Sequence, residues 1–191
     1  MQSILLLVDD VSDAAPLRNI LESLRYRIVD ELRDPGALYD AVARHQPDVI
    51  VLRTDSPSKP MLDALHSLAD ATPRPVVVFA NDPSRNAIRS AVDAGVAAYV
   101  VEGWAAERVT PIIDAACARF EAYDAVKKQL AATQNKLSER KVIEKAKGIV
   151  MQQRGLTEDQ AYGALRRMAM DQNLALAEVA RRVVAVAHLL V

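Results

Sequence analysis

Five short apolar runs alternate with amphipathic stretches in the first hundred residues, and this alternation restricts the fold more than any other feature. The runs cover residues 4–8, 28–32, 49–52, 76–79 and 98–101, and helical spacing occurs near 15–25, 37–44, 61–71 and 85–94. Aliphatic runs such as 49–52 are typical of parallel strands covered on both faces. The pattern therefore predicts a doubly wound α/β domain with a five-stranded parallel sheet over residues 1–105.

Composition excludes several classes of protein. Cys117 is the only cysteine, so an internal disulfide or a cysteine-based zinc cluster is ruled out. Its apolar neighbours at helical spacing predict a small core residue. The N-terminal apolar run stops at Asp9, and the closing run, 183–191, is too short to cross a bilayer. We expect a cytoplasmic protein with no signal peptide, membrane association or cofactor.

A long helix is predicted after the sheet domain. From Glu107 to Gly148 the one helix breaker is Pro111, which is tolerated in a first helical turn. Apolar residues recur there at the three-four spacing of a coiled coil. We expect residues 106–137 to form a linker helix that pairs with a second copy; the alternative is a long helix packed on its own domain. The predicted dimer seam consists of Ile113, Phe120, Tyr123, Leu130 and Leu137.

The last segment, residues 138–191, has the pattern of a small three-helix bundle. The long helix is expected to end near Gly155, and "TEDQ" at 157–160 fits a capping box that begins a second helix. A third amphipathic helix follows. Because glycine inside a helix costs about 1 kcal/mol relative to alanine, Gly148 and Gly163 indicate close helix crossings.

Two resemblances rest on quoted motifs. Asp9-Asp10 after the first strand, "PDVIVL" as the third strand and "AGVAAYV" before the fifth resemble a response-regulator receiver domain, which has a flavodoxin-like fold. The segment "RKVIEKAKGIVMQQRGLTEDQAYGALRRMAM" resembles the ANTAR RNA-binding module. The combination, with "TDSPS" and "AYVVEG", is similar to antiterminator regulators of the nitrate-assimilation type. It implies a receiver at 1–105 and an ANTAR domain at 138–191.

The receiver resemblance also implies a phosphorylation site, and this sequence departs from it. Active receivers of the family hold Mg²⁺ with an acidic pair and phosphorylate an aspartate, while a Thr or Ser and a Lys contact the phosphoryl group. The pair is present as Asp9 and Asp10, for which helix capping is the alternative role. Arg53 occupies the acceptor position, Ala80 the hydroxyl position and Glu102 the lysine position. These losses predict a pseudo-receiver without a metal site.

Arg53 places a permanent positive charge where the phosphoryl group would lie. We expect the carboxylates of Asp9, Asp10 and Glu102 to converge on its guanidinium as a fixed ion cluster. The alternative is that Arg53 points into solvent. Asp55, two residues further on, is the alternative phosphate acceptor, and the missing lysine and hydroxyl argue against it.

The ANTAR resemblance implies that basic residues of the bundle contact RNA. From Ser138 onward there are nine Lys/Arg and six Asp/Glu, so this segment is mildly basic. Without the resemblance, such charges would indicate a solvated helix face. Tyr162 fits a core position better than a base-stacking one, and Asn173 fits a helix C-cap. The candidate RNA-binding residues are Lys141, Lys145, Lys147, Arg154, Arg166 and Arg167.

These features predict an RNA-binding transcription antiterminator, without enzymatic activity, that binds paired RNA stem-loops in leader transcripts. The resemblance implies control by a ligand-sensing partner protein of the nitrate/nitrite sensor type, because phosphorylation is not available. One alternative is a phosphorylation-dependent two-component response regulator. The other is a protein-interaction adaptor that does not bind RNA.

Overall fold

The computed structural model describes residues 1–9, 11–101 and 105–189, without the side chains of 11–14 and 188–189. The chain divides into two units, Met1–Asp124 and Ala125–Val191.

A five-stranded parallel sheet forms the centre of the first unit. Its strands are β1 (Ser3–Val8), β2 (Arg27–Leu32), β3 (Val49–Thr54), β4 (Val76–Ala80) and β5 (Ala98–Val101), in the spatial order β2-β1-β3-β4-β5. Strands β1, β3 and β4 are buried along their whole length, because helices cover both faces of the sheet. The order confirms the predicted flavodoxin-like topology.

The helices form two layers around this sheet. They are α1 (Val11–Ser23), a 3₁₀ turn (Pro35–Ala37), α2 (Leu38–His45), α3 (Lys59–Ala71), α4 (Arg85–Asp93) and α5 (Ala106–Arg154). Alternate residues of β3 supply the two apolar clusters: Ile50 and Leu52 pack with α2, α3 and α4, whereas Val49 and Val51 pack with α1 and the start of α5. This alternation follows from the two-residue period of a strand.

The first turns of α5 belong to the core of the first unit. Val109, Ile113 and Ala116 are buried in the same cluster as Val49 and Val51. The assignment of Ile113 to a dimer seam is therefore wrong, because its side chain has no exposed surface with which to contact a second chain. The predicted linker segment 106–137 is divided between the two units.

Further along α5, large apolar side chains face solvent. Tyr123, Leu130 and Leu137 are 70%, 56% and 55% exposed, and Val126 is also exposed. Phe120 is half-buried and lines a cavity of about 540 Å³ in the first unit. Of the predicted seam, the side chains with more than half of their surface exposed are thus Tyr123, Leu130 and Leu137.

The second unit packs the end of α5 against α6 (Glu158–Asp171) and α7 (Leu176–Leu189). The predicted capping box is present. The Thr157 hydroxyl accepts from the Gln160 N–H at 3.4 Å, and the Gln160 side-chain oxygen accepts from the Thr157 N–H at 3.0 Å. These two bonds satisfy backbone donors that the first turn of α6 leaves without helical partners.

Both α5 and α6 end on a residue in the left-handed conformation. Gly155 follows α5 with φ of 63°, and Asn173 follows the C-cap of α6 with φ of 51°. In α6 the N–H of Leu174 donates to the carbonyl of Ala169 at 2.9 Å, which is the pattern of a Schellman motif. Asn173, predicted as the C-cap, therefore lies one residue beyond the C-cap that the structure shows, which is Gln172.

The prediction of close helix crossings at Gly148 and Gly163 is wrong. A Cβ atom built on either glycine would meet nothing within 4 Å. Packing between helices therefore does not require glycine at either position, although each lowers helix stability by about 1 kcal/mol relative to alanine.

The capping box gives a stability prediction. Thr157→Ala should lower the free energy of unfolding of the second unit by about 1 kcal/mol, because it leaves N-terminal N–H groups of α6 without their acceptor. Urea denaturation of the full chain, followed by circular dichroism, measures the change.

Thr133→Ala is the matched control. Thr133 is exposed in the middle of α5, and its hydroxyl donates to the Gln129 carbonyl within the same helix. Its loss should be neutral or slightly stabilising, because alanine has the higher helix propensity. Equal destabilisation by both variants would contradict a special role for the cap.

Candidate functional site

Arg53 lies inside β3 and is buried. Arg53 is 6% exposed, and it pairs in register with Val8 on β1 and Phe79 on β4. It shares a strand face with Val49 and Val51, by the two-residue period. The alternative in which Arg53 points into solvent is therefore wrong.

The Arg53 guanidinium donates to three uncharged oxygens at the carboxyl end of the sheet. One nitrogen lies 2.6 Å from the Thr54 carbonyl and 3.4 Å from the Phe79 carbonyl, and the other lies 3.2 Å from Oδ1 of Asn81. A buried charge needs such acceptors, because it has lost its water. The interaction joins the end of β3 to the end of β4 and to the residue that follows it.

The predicted ion cluster is not what the structure shows at Asp9. The Asp9 carboxylate accepts from the Thr54 hydroxyl at 2.5 Å, and its backbone N–H donates to the Arg53 carbonyl at 3.1 Å. Asp10 and Glu102, the other two carboxylates of the predicted cluster, lie outside the described residues. Thr54 was not among the predicted site residues, because nothing in the sequence shows that its hydroxyl would meet Asp9.

Asp55 lies beyond the end of β3, so it does not share the strand face of Arg53. Its Oδ1 accepts from the Asn81 side-chain nitrogen at 2.6 Å, and its carbonyl accepts from the backbone N–H groups of Asn81 and Asp82. The Asn81 amide thus connects Asp55 to Arg53. Asp55 is exposed, but its contacts hold the loop after β3 against the loop after β4.

The neighbouring Asp82 is also held by hydrogen bonds. The Ser84 backbone N–H and the Ser56 hydroxyl donate to its carboxylate at 2.8 and 2.7 Å, and they lower its pKa.

Ala80 ends β4, is buried, and has no hydroxyl to offer. A bound cation here would also be repelled by the Arg53 guanidinium. Among residues 1–9, 11–101 and 105–189, no group of three or more potential ligands is placed to hold a metal ion.

Five of the six predicted RNA-binding residues are exposed on the second unit. Within the part of the chain that the structure describes, four of these five residues form no ion pair: Lys141, Arg154, Arg166 and Arg167. Lys145 is the fifth exposed residue. The four without an ion pair are available to anions from solvent.

Lys147 is the exception, and its assignment as an RNA contact is wrong. Its ammonium lies 2.6 Å from a Glu144 carboxylate oxygen and 2.7 Å from a Glu158 oxygen, and the residue is 9% exposed. The hydrogen bonds to Glu144 and Glu158 raise the pKa of Lys147, and the bond from Lys147 lowers the pKa of Glu158. Lys147 thus ties α5 to α6. The spacing of Glu144 and Lys147 was a readable signal for half of this cluster.

Tyr162 is 44% exposed, so the expectation that it fills the core is wrong. It lies on α6 one turn before Arg166, and Met170, one turn after Arg166, is also exposed. Aromatic and cationic side chains therefore share the outward side of α6.

No helix within the described ranges is long and apolar enough to cross a membrane.

The comparisons with known proteins agree with this division into units. Residues 131–184 match the ANTAR domain. The transcriptional regulatory protein PdtaR of Mycobacterium tuberculosis is 29% identical over 177 residues, which cover 93% of this chain and 86% of that protein. The nitrate regulatory protein of Klebsiella oxytoca is 50% identical over 58 residues, which cover 30% of this chain and 15% of that protein. Both relatives are named as regulatory proteins.

Solved structures match the first unit in fold. The signal receiver domain of a modulated diguanylate cyclase from Desulfovibrio desulfuricans G20 has a TM-score of 0.57 and 18% identity, covering 64% of this chain and 98% of that one. The response regulator domain of Thermotoga maritima CheB has a TM-score of 0.53 and 17% identity, covering 61% and 96%. Residues 131–184 are therefore similar to the ANTAR domain, and the unit that precedes them has the fold of receiver domains.

Proposed function

We propose that this chain is an RNA-binding transcription antiterminator that binds paired stem-loops in leader transcripts. The observation that carries the proposal is the pair Arg166 and Arg167, which are exposed on α6 within the ANTAR domain and are not neutralised by carboxylates of the described chain. The names of the two relatives, a transcriptional and a nitrate regulatory protein, support a regulatory role.

The chemistry of RNA hairpins suits such a surface. Phosphates supply a charge attraction that does not depend on sequence, and the unstacked bases of a loop are open to stacking and hydrogen bonding. Lys141 and Arg154 on α5 and the two arginines on α6 offer the cations, and Tyr162 offers an exposed ring. Lys147 is left out of this contact set, because two carboxylates already neutralise it.

A binding prediction concerns these arginines. The double variant Arg166→Ala/Arg167→Ala should weaken binding to a stem-loop RNA by roughly tenfold, equivalent to about 1.4 kcal/mol. The slope of log affinity against log salt should also become shallower by about 1.5, because two phosphate contacts are lost. Fluorescence anisotropy with a labelled RNA at several salt concentrations measures both.

The control is Arg181→Ala/Arg182→Ala, which removes the same charge from the same unit. Those arginines pair with Glu178 at 3.1 and 3.5 Å, so less of their charge is available. The proposal requires a clearly smaller loss for this control. Equal losses would mean that only the net charge of the bundle matters.

We further infer that a partner protein, rather than phosphorylation, controls this regulator. The support is the buried Arg53 at the acceptor position, together with Ala80 at the position of the hydroxyl. By the resemblance, the partner is a ligand-sensing protein, with nitrate or nitrite as its ligand. The Klebsiella oxytoca relative supports the nitrate link only through the 30% of this chain that it matches.

Treatment with acetyl phosphate and Mg²⁺ tests this control. The intact mass should stay unchanged, because Arg53 cannot accept a phosphoryl group and Asp55 lacks the lysine and hydroxyl that would assist transfer. A gain of about 80 Da that disappears in Asp55→Asn would overturn the inference. Asp63→Asn, a variant at a carboxylate on α3, controls for unspecific loss of signal.

We also propose that two copies pair through Tyr123, Leu130 and Leu137. Large apolar side chains with more than half of their surface exposed on one helix are typical of an interaction face. A dimer would present two bundles, so the second stem-loop of a tandem site would bind at a high effective concentration.

The pairing predicts different effects on single and tandem stem-loops. Leu130→Lys/Leu137→Lys should abolish the dimer in sedimentation experiments and weaken binding to a tandem RNA at least tenfold, while a single stem-loop binds as before. Ala132→Lys/Asn135→Lys adds the same charge at exposed positions off the seam and should change neither. Equal effects of both double variants on a tandem RNA would remove the avidity argument.

A further inference from the structure

Gly148 and Gly163 occupy equivalent places on α5 and α6. Each follows a fully buried alanine, Ala146 or Ala161, by two residues. At about 100° per residue, each glycine points about 200° away from the alanine that packs in the core. The two glycines therefore lie near the middle of the outward faces of their helices.

Nothing within the described chain explains glycine at these positions. Both are inside helices, neither has a positive φ, and a Cβ on either would meet no atom within 4 Å. Glycine weakens a helix, because it loses more backbone freedom on folding than alanine does. Contacts within the described chain therefore do not account for the missing side chains.

Each glycine is bordered by exposed cations. Lys141 and Lys145 precede Gly148 by seven and three residues, on the same side of α5. On α6, Arg166 and Arg167 follow Gly163 by three and four residues. A helix glycine next to a cationic pair thus occurs on both helices, with Gly148 exposed and Gly163 partly exposed.

We infer that the sugar–phosphate backbone of RNA approaches α5 at Gly148 and α6 at Gly163, and that the missing Cβ atoms are what allow the approach. This inference rests on the proposed function and specifies where its ligand lies. The neighbouring cations then contact the phosphates on either side of the glycine. Such contacts hold the negatively charged RNA strand against the helix. At α5 a protein partner fits less well, because the exposed residues around Gly148 are Lys141, Glu144, Lys145 and Gln152, without an apolar anchor.

The experiment adds side chains at the two glycines of the full chain. The RNA is selected by the wild-type protein from a pool of tandem stem-loops with randomised loops. Gly148→Ala and Gly163→Ala should be at least as stable to urea as the wild type, yet bind the selected RNA about threefold more weakly. Gly148→Leu and Gly163→Leu should bind about thirtyfold more weakly, because a larger side chain holds the strand further away.

Ala132→Leu is the control, since it adds bulk at an exposed position of α5 far from both glycines. It should bind RNA as the wild type does. If the leucine variants also keep wild-type affinity while Arg166→Ala/Arg167→Ala loses it, the inference is overturned, the proposed function stands, and the two faces are left to a protein partner. If selection with the wild type enriches no RNA, both fall.

Discussion

A guanidinium buried at the end of the sheet joins the ends of two strands of the first unit. The terminal nitrogens of Arg53 donate to the carbonyls of Thr54 and Phe79 and to the side chain of Asn81, which take the place of water. Asn81 extends the contact to Asp55. The guanidinium itself has one charge state, because arginine stays protonated in proteins. A receiver that switches by phosphorylation gains nearly two negative charges at the same place. In this chain, hydrogen bonds from Arg53 hold the ends of β3 and β4 together.

In the second unit, the role of a cation depends on whether a carboxylate lies within reach. Lys147 has two, Glu144 and Glu158, and it serves the attachment of α5 to α6. Arg166 and Arg167 have none among the described residues and stay in solvent. A basic motif therefore contains both structural cations and cations that stay exposed to solvent. Net charge does not tell them apart, and the placement of the acidic neighbours does.

Features set by local spacing were predictable, and features set by long-range contacts were not. The five strands, the capping box at Thr157 and the missing hydroxyl at Ala80 follow from residue types and their order. Glu158 meets Lys147 only because α6 folds back on α5, and the packing of Ile113 depends on where the first unit ends. The glycines misled for a related reason: sequence shows that a helix glycine is costly, but not which side of the helix it faces.

Under the proposed function, a partner controls this regulator through its binding energy, and the seam is the place where the least binding energy is needed. A ligand shifts an equilibrium only by its differential affinity for the two states. A partner that covers Arg166 and Arg167 must compete with RNA that is held by two bundles at once. A partner that covers Tyr123, Leu130 and Leu137 need only outcompete the second copy, and tandem binding then loses a factor of about 10² to 10⁴. The exposed apolar face of α5 is thus better suited to sequestration than the basic face of the bundle.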